Sequence, residues 1–147
     1  MVLSKVISWN CNGLRSNVAS SISKLEFFDK EYPNGNFAVA IFLESHHRDE
    51  NDFPDLLKEF QVTHNLLHTP TPPEHPHRGI IVLVSKQFDI LSSTEQIPGR
   101  LLNFRIKEKG EDNEFNISAF YGPVQKDIAR ADAEGLIQNF FTLHSRD

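Results

Sequence analysis

Residues 37–43 read Phe-Ala-Val-Ala-Ile-Phe-Leu, and Glu44 follows at once. An apolar run without a polar interruption, closed by a charge, predicts a strand covered on both faces of a sheet. A second run of this kind, Gly79 to Ser85 (Gly-Ile-Ile-Val-Leu-Val-Ser), predicts a second buried strand. Upstream, residues 3–9 (Leu-Ser-Lys-Val-Ile-Ser-Trp) predict a strand closed by the turn signal Asn10-Cys11-Asn12-Gly13. From Ser16 the period changes: Val18, Ile22, Leu25 and Phe28 share one helical face, and Pro33-Asn34-Gly35 ends it. Phe53 to Phe60 predicts a short helix, with Asp52 as N-cap and Pro54 near its start. Residues 61–67 predict a further strand. Pro70, Pro72, Pro73 and Pro76 then exclude helix and central strand from the stretch that leads to Arg78. Phe88–Ser93, Leu101–Lys107 and Phe115–Tyr121 alternate apolar with polar residues as successive strands do, and Ile128 to Leu143 carries a helical stripe.

The order is β-α-β-(α)-β-β-β-β-β-α, and residues 1–147 form a single domain. The expected class is α/β, with one mixed sheet, flanking helices and hairpins in the second half. No internal repeat is visible.

Composition limits the function. The 147 residues carry 15 Lys+Arg against 20 Asp+Glu, a formal charge of −5. Duplex binding is driven by Lys and Arg neutralising phosphates, so a nucleic-acid surface here must be local. Arg100, Arg105, Lys107 and Lys109 offer one, interrupted by Glu108. No stretch reaches the ~18 consecutive apolar residues of a membrane span, so no membrane partner is expected. Lys5 within the short apolar N-terminal stretch is unlike a secretory signal. The single cysteine, Cys11, allows neither an internal disulfide nor a thiolate zinc cluster, and is expected to be a small structural residue. The expected location is intracellular, nuclear or cytoplasmic.

Polar residues fall where strands end. Asn10 and Asn12 follow the first strand, Glu44 follows the second, and Tyr121 ends the last before Gly122-Pro123. Singly, each has an ordinary use: amides cap turns, a terminal Glu is solvated, and Tyr-Gly-Pro ends a strand. Together they stand at the carboxyl ends of strands, where open α/β sheets bind ligands. One carboxylate and two carboxamides offer the oxygen donors that a hard cation such as Mg²⁺ accepts.

The segment Ile7-Ser8-Trp9-Asn10-Cys11-Asn12-Gly13-Leu14-Arg15 resembles the opening motif of the endonuclease/exonuclease/phosphatase superfamily. It is most like the endonuclease domains of non-LTR (LINE-type) retrotransposons and the apurinic endonucleases. Ala40-Ile41-Phe42-Leu43-Glu44-Ser45-His46 is similar to the second motif, whose glutamate holds the metal. Arg78 to Ser85 and Gly99-Arg100-Leu101-Leu102 resemble the next two strands, and Ala119-Phe120-Tyr121-Gly122-Pro123 the tyrosine motif. Five colinear segments are more specific than any one of them. The resemblance implies a DNase I-like fold and a Mg²⁺-dependent phosphodiesterase, with Mn²⁺ as an alternative ion. Glu44 and Asn10 would hold the metal, and Asn12 and Tyr121 would act as catalytic residues. Asn12, Tyr121 and Arg100 would contact the substrate phosphate. DNA is the implied partner, with RNA or another phosphoester as the alternative.

The sequence also departs from the pattern. Leu43 stands where a polar residue is common, and Val124 where Asn is common. The Asp-x-Asn and Ser-Asp-His motifs are absent; Asp49-Glu50-Asn51 and His144-Ser145-Arg146-Asp147 do not replace them. Near-inactivity of the chain alone follows, since members of a catalytic unit fail together. So does a fold amounting to roughly half of a four-layer α/β sandwich. An apolar sheet face would then be left for a missing C-terminal half or a partner to cover. The alternatives are a phosphatase or RNase of the same superfamily, or a non-catalytic remnant serving as an interaction module. Lesser candidates are zinc at His64, His68, His75 and His77, PxxP docking through Pro70–Pro76, and a sequon at Asn116.

Overall fold

The computed structural model describes residues 5–122. Seven strands and two α-helices follow one another: β1 (Val6–Asn10), α1 (Ala19–Glu31), β2 (Val39–Leu43), α2 (Asp55–Phe60), β3 (His64–Thr69), β4 (Ile80–Ser85), β5 (Phe88–Ile97), β6 (Leu101–Glu108) and β7 (Glu114–Phe120). The helix expected over Ile128–Leu143 lies outside the described residues.

The expected mixed sheet with flanking helices is present, as four strands in the order β1-β2-β4-β3. β1 and β2 are parallel, with α1 in the crossover that parallel pairing requires, whereas β4 runs antiparallel to both β2 and β3. The remaining strands do not extend this sheet. β5, β6 and β7 form a separate antiparallel sheet.

Strand period two explains how both apolar runs are buried twice over. Ala40, Phe42, Ile81 and Leu83 join the helix-side core with Leu25, Phe28, Leu57 and Phe60. Val39, Ile41, Ile80, Val82 and Val84 point the other way and pack against Phe88, Leu102, Phe104, Ile106 and Ala119 of the second sheet. The bare apolar face expected on β2 and β4 is therefore covered by the chain's own later strands. The sequence reading placed those strands in the same sheet, where they could not cover anything. What stays open is the margin: on β1, Ile7 and Trp9 pack toward α1, but Val6 is 46% exposed and Ser8 and Asn10 are exposed beside it.

Helix α1 is rotated relative to its expected face. Leu25 and Phe28 are buried as predicted, but Ser21 is buried too while Val18 and Ile22 are exposed. The rotation has a polar cause. The Ser21 hydroxyl accepts from the Arg15 amide at 2.9 Å and donates to the Gly13 carbonyl at 3.3 Å, fastening the loop after β1 to the helix. Phe28 is the hub of the helix-side core, with Trp9, Tyr32, Phe37, Phe42 and Phe60 at ring-centroid distances of 5.0–6.3 Å. In α2 the N-cap position falls to Pro54, not Asp52. Asp52 instead accepts from the Arg48 amide at 2.8 Å and from the Arg48 guanidinium at 2.9 and 3.0 Å.

Candidate active site at the strand ends

The segments that follow β1, β2 and β7 meet those that precede β4 and β6. The Cys11 amide donates to the Leu43 carbonyl at 2.9 Å, the Gly13 amide to Glu44 at 2.6 Å and the Leu14 amide to Ser45 at 2.8 Å. The ladder between β1 and β2 thus continues past both strands and carries the Asn10–Gly13 turn alongside Glu44. Ser45 and His46 in turn donate their amides to the carbonyls of Gly79 and Arg78, at 3.0 and 2.9 Å. The Gly79 amide reaches the Gly99 carbonyl at 2.9 Å, and the Tyr121 amide reaches Arg100 at 2.8 Å. Backbone alone therefore positions Glu44, Arg78, Arg100 and Tyr121 around one spot.

The backbone there is strained. Asn12, Glu44 and His46 all have left-handed φ, +48°, +57° and +61°. Such residues cost about 1–3 kcal/mol each and persist only where their surroundings hold them. Gly79, at φ +112°, is what the close approach requires: a Cβ there would lie 2.5 Å from the Ser45 hydroxyl oxygen and 3.1 Å from the His46 nitrogen.

Of the residues singled out from sequence, the fold brings Glu44 and Tyr121 to the same place, near enough for the Glu44 carboxylate to act on the Tyr121 hydroxyl. Burial pushes the phenol up to about 12 and the Glu44 carboxylate adds to this, with Arg100 and Arg78 opposing, so Tyr121 is a neutral donor at physiological pH. Arg100 lies over the Tyr121 ring, its Cζ 5.6 Å from the centroid. Its buried Nε has no hydrogen-bond partner among the described residues. Asn10 closes β1 opposite Leu43, adjacent in register to Glu44. Asn12 is exposed, its carbonyl accepting from Lys24 Nζ at 2.9 Å.

Beside Tyr121 opens a groove of about 280 Å³, lined by Glu74, His75, Pro76, His77, Arg78, Arg100 and Tyr121. His77 meets His46 edge to face at 5.2 Å, tying the proline-rich loop to the Glu44 turn. Burial and the neighbouring His77 hold the His46 imidazole below its ordinary pKa.

Several sequence-level candidates fall apart. His64 Nε2 faces the Phe37 carbonyl at 3.0 Å, and its Nδ1 faces the Thr63 hydroxyl at 2.8 Å, far in role from the exposed His75 and His77. Among the described residues no group of three or more His, Cys, Asp or Glu is placed to hold a metal, so the zinc candidate has no geometric support. Two members of the basic strip along and after β6 are paired, Arg105 with Glu114 at 2.8 Å and Lys109 with Asp89 at 4.0 Å. Cys11 is structural as expected: its Sγ lies 3.1 Å from the Leu43 carbonyl, and burial pushes the thiol up to about 12.

The sequence reading missed Arg78, whose charge acts on Tyr121, and the buried pair Ser45 and His47. For Arg78 a signal existed: it precedes a left-handed glycine at the mouth of a buried strand.

A donor set of one carboxylate and a neighbouring carboxamide fits Mg²⁺, which keeps several waters and takes few protein ligands. It does not fit a structural zinc, which takes four protein ligands. No helix among the described residues is long and apolar enough to cross a membrane.

No family model and no curated protein matches the sequence. Solved structures do match its fold. The chain is similar to D. rerio TDP2 complexed with single strand DNA product, with TM-score 0.59, 13% identity, and coverage of 92% of this chain and 54% of that one. It is similar to the AP endonuclease LMAP from Leishmania major, with TM-score 0.59, 15% identity, and coverage of 90% and 44%. It is also similar to the human Nocturnin catalytic domain with bound sulfate anion, with TM-score 0.57, 10% identity, and coverage of 97% and 62%. The chain thus spans about half the length of the structures it matches. The architecture, two sheets packed face to face, is a DNase I-like fold.

Proposed function

We propose that this chain is the N-terminal part of a Mg²⁺-dependent phosphodiesterase domain of the retroelement endonuclease type, with DNA as substrate. The observation that carries this reading is the Glu44 carboxylate acting on Tyr121 at a groove that Arg78 and Arg100 line. A carboxylate for a hard cation, a neutral phenol donor and two guanidinium groups form the surroundings that a phosphodiester requires.

In this reading Glu44 and Asn10 hold the cation, which when bound withdraws charge from the phosphoryl oxygen. Tyr121 donates to a phosphate oxygen, its raised pKa keeping the proton available across the working range. Arg100 offers its unpartnered Nε to the same phosphate. Asn12, exposed in its left-handed turn, orients the phosphate from the β1 side. The groove along His75, His77 and Arg78 gives room for a neighbouring phosphate of a polymer, which favours a polynucleotide over a phosphomonoester. Two of the similar structures bear on the substrate: one is described in complex with a single strand DNA product, and one is an AP endonuclease. The residues that activate water in the resembled family, in the Asp-x-Asn and Ser-Asp-His motifs, are absent from this sequence, so turnover by these 147 residues is orders of magnitude below that of a complete site.

The test is nicking of supercoiled plasmid by the purified chain with and without Mg²⁺, beside Glu44→Ala. Slow nicking that needs Mg²⁺ and disappears in the variant supports the reading. Nicking that survives Glu44→Ala overturns it. RNA and phosphomonoester substrates run in parallel distinguish an RNase or phosphatase from a DNA endonuclease.

A further inference from the structure

Beneath the Glu44 turn lies a chain of polar side chains for which the phosphodiesterase reading has no use. The Ser45 hydroxyl oxygen is 2.5 Å from His47 Nδ1, and both residues are fully buried. His47 Nε2 is 3.1 Å from His68 Nδ1 on β3. His68 Nε2 is 3.6 Å from the Glu50 carboxylate, which is 79% exposed. Phe53 closes the side of the chain, with ring centroids 5.3 Å from His47 and 5.2 Å from His68. The chain therefore runs from the surface to the residue between two left-handed positions, Glu44 and His46.

The bonds among Ser45, His47 and His68 can run in either of two opposite directions, and the charge of the nearby Glu50 carboxylate favours one of them. A neutral imidazole has one donor and one acceptor nitrogen, and a carboxylate only accepts. Glu50 favours hydrogen on His68 Nε2, which leaves His68 Nδ1 as an acceptor. His47 must then donate from Nε2 and accept at Nδ1, so the Ser45 hydroxyl is the donor. The direction is set at the surface and transmitted inward. The backbone agrees: the Ser45 amide and carbonyl are already engaged with Gly79 and Leu14, and the His47 carbonyl accepts from Thr71 at 2.8 Å.

We infer that Ser45, His47, His68 and Glu50 form a relay running inward from the surface that holds the strained Glu44–His46 turn, with His47 the positioning residue that sets the Glu44 carboxylate beside Tyr121. The inference rests on the proposed role of Glu44 for its importance to function, but not for its geometry. Burial, then the charge of His68, drives the His47 pKa down to about 3, so His47 stays a neutral link in any ordinary buffer. The Asp52 carboxylate opposes this.

The experiment uses the intact chain and its variants. Long-range ¹H–¹⁵N NMR spectra of the wild type should show His47 and His68 both protonated at Nε2; an Nδ1–H tautomer at His47 overturns the relay. In His47→Phe, which keeps a ring against Phe53, the Tyr121 ring resonances should shift in the same direction as in Glu44→Gln. Mg²⁺ affinity should fall about tenfold to a hundredfold, the usual effect of losing a residue that orients a ligand. His47→Asn, which retains an acceptor for Ser45, should recover most of both. Tyr121 resonances unchanged in a folded His47→Phe overturn the positioning role. A wild type that binds no Mg²⁺ sinks the proposed function instead, and leaves the tautomer and Tyr121 measurements to decide the relay.

Discussion

The Glu44 carboxylate raises the pKa of the Tyr121 phenol, and the pair stands where the two sheets end: Glu44 follows β2 in one, and Tyr121 follows β7 in the other. Glu44→Gln removes the anion that holds the phenolic proton while leaving the burial in place. The Tyr121 pKa is then expected to fall from about 12 but to stay above that of a free phenol. Titration of the Tyr121 ring carbons by NMR, in a Tyr32→Phe background that leaves one tyrosine, measures the shift. An unchanged pKa would mean that burial alone sets it and that the two residues do not communicate.

Gly79 tests how tightly the turn is packed. Gly79→Ala adds strain at φ +112° and puts a methyl 2.5 Å from the Ser45 hydroxyl and 3.1 Å from the His46 backbone nitrogen. Backbone must move, and a loss of about 3 kcal/mol is expected from the two effects together. Gly110→Ala is the control: φ is +83° but nothing lies within 4 Å, so only the conformational cost of about 1 kcal/mol applies. Urea unfolding of both variants compares them. Equal losses would show that contact at Gly79 is relieved without cost.

How much of this could be read in advance depends on the range of the information. The two apolar runs announced β2 and β4 because burial on both faces leaves no polar position, a purely local signal. Glu44 and Tyr121 were legible because strand ends are where ligands bind. The division into two sheets was not: alternation says that a strand has one buried face, not which sheet it joins. The rotation of α1 was hidden for a similar reason, since the burial of Ser21 comes from its bonds to Gly13 and Arg15, not from apolarity. Ser45, His47 and His68 were invisible as a unit because β3 and the Glu44 turn are brought together only by pairing through β4.

Asp52 makes stability depend on acid. Its carboxylate is held down to about 2, first by the Arg48 guanidinium bonds, with burial opposing and the Arg48 amide and nearby Arg15 assisting. The folded pKa lies below the unfolded value of 3.8, so the carboxylate stabilises the fold above about pH 4 and that contribution is lost as pH falls through 2. Asp52→Asn should therefore be less stable than wild type at pH 7, with the gap closing as pH is lowered from 4 toward 2. Thermal unfolding at stepped pH follows the gap; a difference independent of pH would assign the loss to geometry, not charge.

Arg100 and Arg105 separate the groove from the outer strip on β6. Arg100 lies over Tyr121 with a buried Nε lacking a partner, whereas Arg105 is already bonded to Glu114 at 2.8 Å. If the groove receives a phosphate, Arg100→Ala should weaken oligonucleotide binding and reduce the slope of log K against log salt by about 1, the signature of one lost phosphate contact. Arg105→Ala should change neither, because its charge is offset in the free protein. Fluorescence anisotropy of a labelled oligonucleotide across a salt series measures both quantities. The reverse order, with Arg105 mattering and Arg100 silent, would move the polyanion onto the outer face of the second sheet and separate binding from the Glu44 site. Equal slopes for wild type and Arg100→Ala would remove the guanidinium from phosphate recognition and leave its stacking on Tyr121 as its whole role.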